Sequence, residues 1–257
     1  MRFRQTLRRA RLLTAYYSAI TIFGIGTLSY NVTTAVLSVL GPLAPSDAVL
    51  RKANTILVRL FFWLVRTLGL SRIRIDPKAR EATSRPALII ANHTGLIDAP
   101  VINTFIPGMV CVFKNSLLKN PCFSHVLRHS GHLSNADGID MIRKGIQVLE
   151  SGRSLLLFPE GTRGEHSENF SFKPGFAIVA KRASVPVVLL AIENPDYILT
   201  KHRPFLYAPD LPFHYNFRYV GTLSISPDEA VPAIVSRAES MFKHFFNEPR
   251  NPIPPQS

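Results

Sequence analysis

The chain has 257 residues, 46% of them hydrophobic, which is enough for one large domain with a substantial buried core. Lys and Arg number 30 against 17 Asp and Glu, and the net charge of +13 favours an anionic partner such as nucleic acid, an anionic bilayer or an acidic substrate carrier. A soluble basic surface without a dedicated partner is the alternative. The two cysteines, Cys111 and Cys122, form no Cys-x-x-Cys motif, so the sequence indicates neither a disulfide framework nor a zinc site and fits a reduced, cytosol-facing location.

The N-terminus joins a basic segment to a long uncharged one. Five arginines lie within residues 2–11, and residues 12–46 contain no charged side chain. Residues 16–40 are long enough to reach across the hydrocarbon core of a bilayer and too long for the core of a signal peptide. We therefore expect a membrane-associated helix, with a helix of a soluble core as the competing interpretation.

Residues 50–70 predict an amphipathic helix that lies in the membrane interface. Lys52, Arg59 and Arg66 recur every seven residues on one face, and apolar side chains fill much of the remainder. Basic residues flank the apolar stretch on both sides, so the two helices either cross and return or both dip into one leaflet. The second arrangement is favoured because a full crossing would place Arg59 and Arg66 deep in lipid. Residues 1–70 are thus predicted to be membrane-associated helices on the cytoplasmic face, at the inner membrane if the protein is bacterial.

Beyond residue 70, short apolar runs alternate with helical patterns. Strands are predicted at 71–76, 86–91, 108–113, 154–158 and 186–192, and helices at 98–105, 115–129, 138–151, 175–183 and 226–247. This alternation implies an α/β fold over residues 71–247, a layered domain with a mostly parallel central sheet flanked by helices, to which the N-terminal membrane-embedded helix pair is added. The proline-rich residues 248–257 are predicted to be a disordered tail.

The segment Asn92 to Asp98 holds a His and an Asp five positions apart, directly after a predicted buried strand. Five residues subtend about 140° on a helix, so the pair can meet only if His93 lies in the loop and Asp98 in the first turn of the following helix. There the carboxylate would hold the imidazole tautomer and favour the imidazolium that forms on proton uptake. Gly95 would allow another group to approach closely. The same spacing recurs at His132 and Asp137, so an ordinary loop histidine remains the alternative for this segment alone.

The segment Phe158 to Arg163 follows another predicted strand and reads Phe-Pro-Glu-Gly-Thr-Arg. Its Pro and Gly161 set a turn whose backbone N–H groups can face an anion. Arg163 offers a planar fork for phosphate oxygens, and Thr162 offers a hydroxyl. Glu160 is expected either to anchor the loop by accepting hydrogen bonds or to contact a substrate hydroxyl.

His93 and Glu160 both follow apolar strands, so in a parallel sheet they could share one crevice beyond the strand ends. Lys173 is close enough in sequence to Arg163 to help bind an anion, and a plain surface lysine is the alternative.

Together, the 92–98 and 158–163 segments resemble the glycerolipid acyltransferase family, in particular its lysophosphatidic acid acyltransferase type, over roughly residues 50–195. The resemblance implies that His93 is the general base that activates the acceptor hydroxyl, that Asp98 is its partner, and that the Glu-Gly-Thr-Arg segment contributes to binding the acceptor's phosphate. It implies a thioester donor, acyl-CoA or acyl-carrier protein, both of which are acidic. No cofactor or metal is expected. The family also commonly carries an N-terminal helix pair that dips into one leaflet.

Two blocks depart from the family pattern. Residues 131–137 match the start of a block that normally ends in a phosphate-binding Arg, but that Arg is absent, and Arg143 and Lys144 are the candidates to replace it. Residues 185–189 lack the final Pro of a Val-Pro-Val-x-Pro block. The first departure keeps other acceptors open, namely a lyso-ornithine lipid, a glycolipid or a polyene-type hydroxyl.

The sequence as a whole predicts a membrane-associated O-acyltransferase that converts a lysophospholipid to a diacyl lipid, most simply lysophosphatidic acid to phosphatidic acid. The implied mechanism is direct transfer without a covalent enzyme intermediate, in keeping with the absence of a Gly-x-Ser-x-Gly motif. A non-catalytic membrane-binding relative is the alternative, and the intact His93, Asp98, Glu160 and Arg163 argue against it. Nucleic-acid binding is disfavoured because the basic residues cluster beside apolar helices.

Overall fold

The computed structural model of the protein describes residues 2–121, 123–164, 170–201, 203–226, 228–249 and 251–253. Its strands are β1 Ser71–Ile75, β2 Leu88–Ala91, β3 Val110–Phe113, β4 Leu133–Ser134, β5 Leu155–Leu157, β6 Val187–Glu193 and β7 Phe213–Leu223. Its α-helices are α1 Arg2–Ser38, α2 Asp47–Thr67, α3 Pro77–Ala82, α4 Asp98–Phe105, α5 Ser124–His129, α6 Gly138–Glu150, α7 Gly175–Ala183 and α8 Val231–Asn247, and short 3-10 helices cover Gly41–Leu43 and Asn115–Lys119.

The seven strands form one sheet in the order β1-β7-β6-β2-β5-β3-β4. All neighbouring strands are parallel except β6 and β7, which pair antiparallel. In the middle of the sheet, Leu88 of β2 is level with Leu155 of β5 and with Val187 of β6. Because β2 and β5 are parallel neighbours, their carboxyl ends lie side by side at the same end of the strands. The two sequence motifs begin there.

Helices cover both faces of the sheet. Ile89 and Ala91 of β2 point into a core shared with α1, α2 and α4, whereas Leu88 and Ile90 point into a core shared with α6, α7 and α8. All four side chains are completely buried, as expected of a central parallel strand that is covered on both sides. The three-layer arrangement confirms the predicted α/β fold.

Helix α1 lies along the body of the protein and is attached to it at two places. The Tyr16 hydroxyl donates to the Tyr207 carbonyl at 2.9 Å, and the Asn31 side-chain oxygen accepts from the backbone N–H groups of His125 and Val126 at 2.8 and 3.0 Å. One stripe of α1 is buried, and much of the remaining surface is apolar and exposed. In the described part of the chain, α1 is the one helix that is long and apolar enough to cross a membrane, by length and composition.

Helix α2 has the amphipathic character expected of residues 50–70. The Ser46 hydroxyl caps its N-terminus by accepting from the Val49 N–H at 3.4 Å. Phe62 and Val65 are buried, while Leu60 and Trp63 are exposed apolar side chains on the other side of the helix. Together, α1 and α2 therefore present a large apolar surface that the rest of the described chain leaves uncovered.

Most predicted elements are present with boundaries shifted by a few residues, but the helix predicted at 115–129 is wrong. Asn115–Lys119 is a 3-10 helix, Asn120 has an extended backbone, and the α-helix starts only at Ser124. Pro121 explains the interruption, because proline lacks an N–H for the helix and disfavours the helical conformation of the residue before it. No sequence pattern predicted β7, β4 or α3.

The described residues near the C-terminus contact the sheet, whereas the sequence predicted a disordered tail over residues 248–257. Arg74 of β1 donates to the Ile253 carbonyl at 3.1 Å, and Arg218 of β7 donates to the Asn251 carbonyl at 2.8 Å. The Ile253 side chain is buried. Residues 250 and 254–257 lie outside the described part of the chain.

Candidate active site

Asp98 is the first residue of α4, and its carboxylate is fully buried. Oδ2 accepts hydrogen bonds from His93 Nδ1 at 2.7 Å and from the backbone N–H groups of Thr94 and Gly95 at 2.7 and 3.0 Å. Oδ1 accepts from the hydroxyl of Thr94 at 3.1 Å and from that of Tyr215. A negative charge at the N-terminus of a helix is also favoured by the helix dipole. Five donors therefore fix the position of this carboxylate.

His93 lies in the loop between β2 and α4, as the spacing of the motif required. Because Nδ1 faces the Asp98 carboxylate, the neutral imidazole is assigned the tautomer with hydrogen on Nδ1, which leaves the Nε2 lone pair available to accept a proton. The ring stacks on Phe158, with 4.1 Å between ring centroids and 17° between the planes. The side chain remains partly exposed, so a substrate can reach it.

The backbone of His93 binds the second motif directly. Its N–H donates to Glu160 Oε1 at 3.3 Å, and its carbonyl accepts from the Gly164 N–H at 3.0 Å. Glu160 therefore anchors the loop, one of the two roles expected for it. Burial, with a smaller contribution from the charge of Asp98, raises the Glu160 pKa to about 7, and the His93 N–H acts in the opposite direction.

Gly161 and Lys173 lie against each other. Gly161 has a φ of +70°, a conformation that favours glycine, and its N–H closes a turn onto the Phe158 carbonyl at 3.0 Å. A Cβ on Gly161 would lie 2.8 Å from the Lys173 Nζ. The Lys173 N–H is also bound to the Pro159 carbonyl at 2.9 Å. The ammonium group thus covers the turn, as expected if Lys173 adds positive charge to this loop.

Thr162 and Arg163 complete the second motif at the surface. Thr162 is exposed and Arg163 is half-buried. Arg163 has no ion pair with a described residue. Its charge lies close enough to Tyr215 to act on that phenol. The structure therefore brings His93, Asp98 and the 160–163 turn together with Lys173 at one edge of the sheet.

Tyr215 belongs to this site although it lies in neither of the two sequence motifs. It is completely buried in β7, where its hydroxyl contacts Asp98 and lies 3.0 Å from Thr94 Oγ1. Burial and the negative charge of Asp98 raise the Tyr215 pKa well above its usual value, so the phenol remains a neutral donor. The available signal was the alternation of Phe213, Tyr215 and Phe217, since a buried tyrosine on such a strand needs a hydrogen-bond partner.

Two further contacts hold the His93 loop in place. The Asn92 side chain donates to the Ile192 carbonyl at 2.9 Å and accepts from the Ile192 N–H at 2.7 Å, which joins the ends of β2 and β6. A Cβ on Gly95 would lie 2.9 Å from both the Ile198 carbonyl oxygen and the Tyr215 hydroxyl. The expectation that Gly95 permits a close approach is confirmed.

The second His-x-x-x-x-Asp spacing forms no such pair. Asp137 caps α6 by accepting from the N–H groups of Ile139 and Asp140 at 2.9 and 3.2 Å. His132 Nδ1 instead accepts from the Cys111 N–H at 3.2 Å, and burial together with nearby arginines lowers its pKa to about 4. Equal spacing in the sequence thus gives one hydrogen-bonded His–Asp pair, at His93 and Asp98, and one pair of residues with separate structural roles.

Arg143 and Lys144, the candidates to replace the missing phosphate-binding Arg, both pair with Asp140. The nitrogen–oxygen distances are 2.8 and 2.7 Å. All three side chains lie on the exposed face of α6, and the ion pairs partly neutralise the two cations. This arrangement offers less positive charge to an anion than the turn covered by Lys173.

Comparison with known proteins gives one family and a group of similarly described relatives. A family model described as Acyltransferase matches residues 72–193, which include both motifs. The chain is 28% identical over 152 residues to the 1-acyl-sn-glycerol-3-phosphate acyltransferase of Helicobacter pylori, covering 56% of this chain and 62% of that relative. It is 32% identical over 123 residues to the protein of the same description from Limnanthes alba, covering 45% and 44%. The chain therefore spans less than two thirds of the length of these relatives.

A solved structure is similar over almost the whole chain. The crystal structure of the 1-acyl-sn-glycerophosphate (LPA) acyltransferase PlsC from Thermotoga maritima superposes with a TM-score of 0.65, covering 96% of this chain and 99% of that chain. The sequence identity is 20%. This likeness shows a shared fold, including the region of the N-terminal helices.

Proposed function

We propose that the protein is a member of the acyltransferase family, whose model matches residues 72–193, and that it transfers a fatty acyl group from a thioester donor to the hydroxyl of a lysophospholipid, converting lysophosphatidic acid to phosphatidic acid. The observation that carries the proposal is the 2.7 Å contact between His93 Nδ1 and the buried Asp98. It leaves Nε2 as a proton acceptor at a partly exposed position beside a cationic turn.

In the proposed reaction the acyl group passes directly from the donor to the acceptor, without a covalent enzyme intermediate. The acceptor hydroxyl gives its proton to His93 Nε2 while its oxygen attacks the thioester carbonyl carbon. Asp98 stabilises the imidazolium that results, because its carboxylate is already fixed by backbone donors. The tetrahedral intermediate then collapses, the carbon–sulfur bond breaks, and the departing sulfur takes up the proton from the imidazolium. The products are the new ester and the free thiol.

The acceptor phosphate is proposed to bind at the turn formed by Glu160, Gly161, Thr162 and Arg163. Lys173 covers Gly161, and Arg163 has no carboxylate partner among the described residues, so two cations remain available beside His93. Arg can hold phosphate with two parallel hydrogen bonds, and Lys adds a point charge. The Glu160 side chain accepts a hydrogen bond from the backbone N–H of His93, so its proposed role is to position the turn.

Two further features fit substrates of this kind. The donor is proposed to be acyl-CoA or acyl-carrier protein, both acidic, and the net charge of +13 favours their approach. The apolar surface of α1 and α2 is proposed to lie in the cytoplasmic leaflet of a membrane, where a lysolipid is found. The attachments of Tyr16 and Asn31 hold α1 along the body, which favours an arrangement in one leaflet over a crossing.

The test is acyl transfer by detergent-solubilised protein to a panel of lysolipids, with both acyl-CoA and acyl-carrier protein as donors. His93→Ala is compared with His244→Ala, a matched change of an exposed histidine on α8. We expect the wild type and His244→Ala to form phosphatidic acid and His93→Ala to form none.

Two results would contradict the proposal. Transfer only to a phosphate-free acceptor would mean that the acceptor is a different lipid and that the absence of the family's phosphate-binding Arg decides the specificity. No transfer to any acceptor by folded protein would favour the non-catalytic relative.

A further inference from the structure

The connection between β6 and β7 carries an exposed apolar tip, which we define as residues 203–207. Within it, Phe205 is 55% exposed and Leu206 is 61% exposed. Two adjacent large apolar side chains at the end of a loop leave an uncovered apolar surface, which is typical of a contact site for a partner or a membrane. Neither side chain has a role in the candidate active site.

Helix α1 holds this tip in place. The Tyr16 hydroxyl donates to the Tyr207 carbonyl at 2.9 Å, and the Tyr17 hydroxyl donates to the Leu206 carbonyl at 3.1 Å. These tyrosines lie near the start of the uncharged stretch of α1, and the exposed Ile22 and Ile25 follow along the helix. The tip therefore extends the apolar surface of α1 and is not a separate patch.

The polar groups of the tip have the character of a membrane interface. The Arg203 guanidinium lies 5.5 Å from the ring centroid of Tyr197 and 5.0 Å from that of Tyr207. Tyrosines and cations beside apolar side chains are typical of segments at the level of lipid headgroups. The cation is suited to anionic headgroups, so an anionic bilayer fits this surface better than an apolar protein groove.

From this continuity and charge we propose that the 203–207 tip is an additional membrane-contacting element, which inserts Phe205 and Leu206 into the same leaflet as α1. The proposal goes beyond the acyl-transfer function, because it concerns how the protein sits on a bilayer and holds for any chemistry at His93.

The same connection also reaches the candidate active site. The Leu199 carbonyl accepts from the Leu96 N–H at 3.1 Å, within the loop that carries His93. Asn194 closes the intervening turn by donating to the Ile198 carbonyl at 3.0 Å and accepting from the Ile198 N–H at 2.9 Å. Insertion of the tip would therefore place the His93 loop beside the bilayer surface, where a lipid acceptor can enter.

The test uses tryptophan fluorescence in vesicles of anionic phospholipid with and without bromine on the acyl chains. Trp63 is the only tryptophan and is exposed on α2, so the wild type reports on that helix. Leu206→Trp is made in a Trp63→Phe background. Its matched control is Ile139→Trp in the same background, because Ile139 is 83% exposed on α6, which packs on the sheet face opposite to α1.

We expect brominated lipid to quench the wild type and the Leu206→Trp variant and to leave the Ile139→Trp variant unchanged. Quenching of the wild type without quenching of Leu206→Trp would overturn the proposal and leave the placement of α2 intact. Absence of quenching in both would overturn the proposal together with the one-leaflet arrangement. Neither result depends on acyl transfer, so a failure here is distinct from a failure of the proposed function.

Discussion

Tyr215 donates its hydroxyl hydrogen to Oδ1 of Asp98, a residue 117 positions earlier in the chain. This bond leaves Oδ2 to His93 and to the backbone N–H groups of Thr94 and Gly95 in the loop before α4. Because burial and the Asp98 charge keep the phenol neutral, its donation does not change over the physiological pH range. The carboxylate that orients the proposed base is thus itself oriented by a residue of β7, a strand two places away from β2 in the sheet.

Replacing Tyr215 by Phe should weaken both stability and catalysis. The variant loses a buried hydrogen bond to a charged group, so we expect the free energy of unfolding to fall by about 1.5–3 kcal/mol. The acyl-transfer rate should also fall, on the order of tenfold, because a carboxylate with one donor fewer holds the imidazole less firmly. Chemical unfolding and initial rates measure the two effects.

The control for this change is Tyr219→Phe, which removes a hydroxyl bound at the surface to Thr222. It should alter the free energy of unfolding by less than about 0.5 kcal/mol. A Tyr215→Phe protein as stable and active as the wild type would show that the bond to Asp98 has no part in holding the site.

Asp98→Asn should abolish most of the activity while leaving the fold in place. An amide has one carbonyl oxygen and no charge, so it cannot both accept from the Thr94 and Gly95 N–H groups and stabilise an imidazolium at His93. In a comparable carboxylate–histidine pair the same exchange lowers kcat on the order of 10⁴-fold. The measurement is kcat at saturating acceptor, beside circular dichroism to establish that the variant is folded.

Asp137→Asn is the matched control, because it changes the carboxylate of the other His-x-x-x-x-Asp spacing. Asn is as good an N-terminal cap as Asp, so α6 should keep its start and the rate should stay within about twofold of wild type. Equal losses in the two variants would contradict a special role for the His93–Asp98 pair.

Gly161→Ala should weaken acceptor binding more than the matched change Gly152→Ala. Both glycines have left-handed backbones, with φ of +70° and +74°, so each substitution should cost about 1–2 kcal/mol of stability. Only the methyl group at 161 meets a neighbour, the Lys173 ammonium, whereas nothing lies within 4 Å of a Cβ on Gly152. We expect KM for the lysolipid to rise several-fold in Gly161→Ala alone. Identical KM values in the two variants would show that Lys173 has no part in binding the phosphate.

Glu160 should make the protein less stable as the pH rises towards and through 7. Its pKa is raised in the folded protein from 4.5 to about 7, so the folded state keeps a proton that the unfolded chain releases. The stability that this proton contributes is complete below about pH 4.5 and lost above pH 7, with a total on the order of 1–3 kcal/mol. The free energy of unfolding, measured between pH 5 and 8, should fall less in Glu160→Gln than in the wild type. The same pH dependence in both proteins would assign the titration to another group.

Local patterns in the sequence were sufficient to predict much of the sheet and the two motifs. Buried parallel strands such as Leu88–Ala91 are continuous apolar runs, and the chemistry at their carboxyl ends follows within a few residues. His93 and Asp98 are close in the sequence, so their pairing could be inferred from helix geometry alone. The same reasoning failed for residues 115–129, where the helical pattern continued past Pro121 although proline interrupts it.

Contacts between distant segments could not be predicted in this way. The role of Tyr215 depends on β7 lying between β1 and β6, and no feature of residues 213–223 specifies those neighbours. The bond between His93 and Glu160 likewise depends on β2 and β5 being adjacent. The attachment of α1 through Tyr16 and Asn31 joins the helix to loops that carry no recognisable pattern of their own.

The position of β7 also determines the order in which the strands can pair while the chain is being synthesised. In the described sheet, β1 is an edge strand whose partner is β7, with Ser71 level with Phe213. Strands β2 to β6 can pair with one another as they leave the ribosome, but β1 must wait for β7, which follows β6 in the sequence. Since Tyr215 lies in β7, the nascent chain carries an incomplete site until that strand has been made. A polypeptide released early would reach the membrane through its helices without the means to act there.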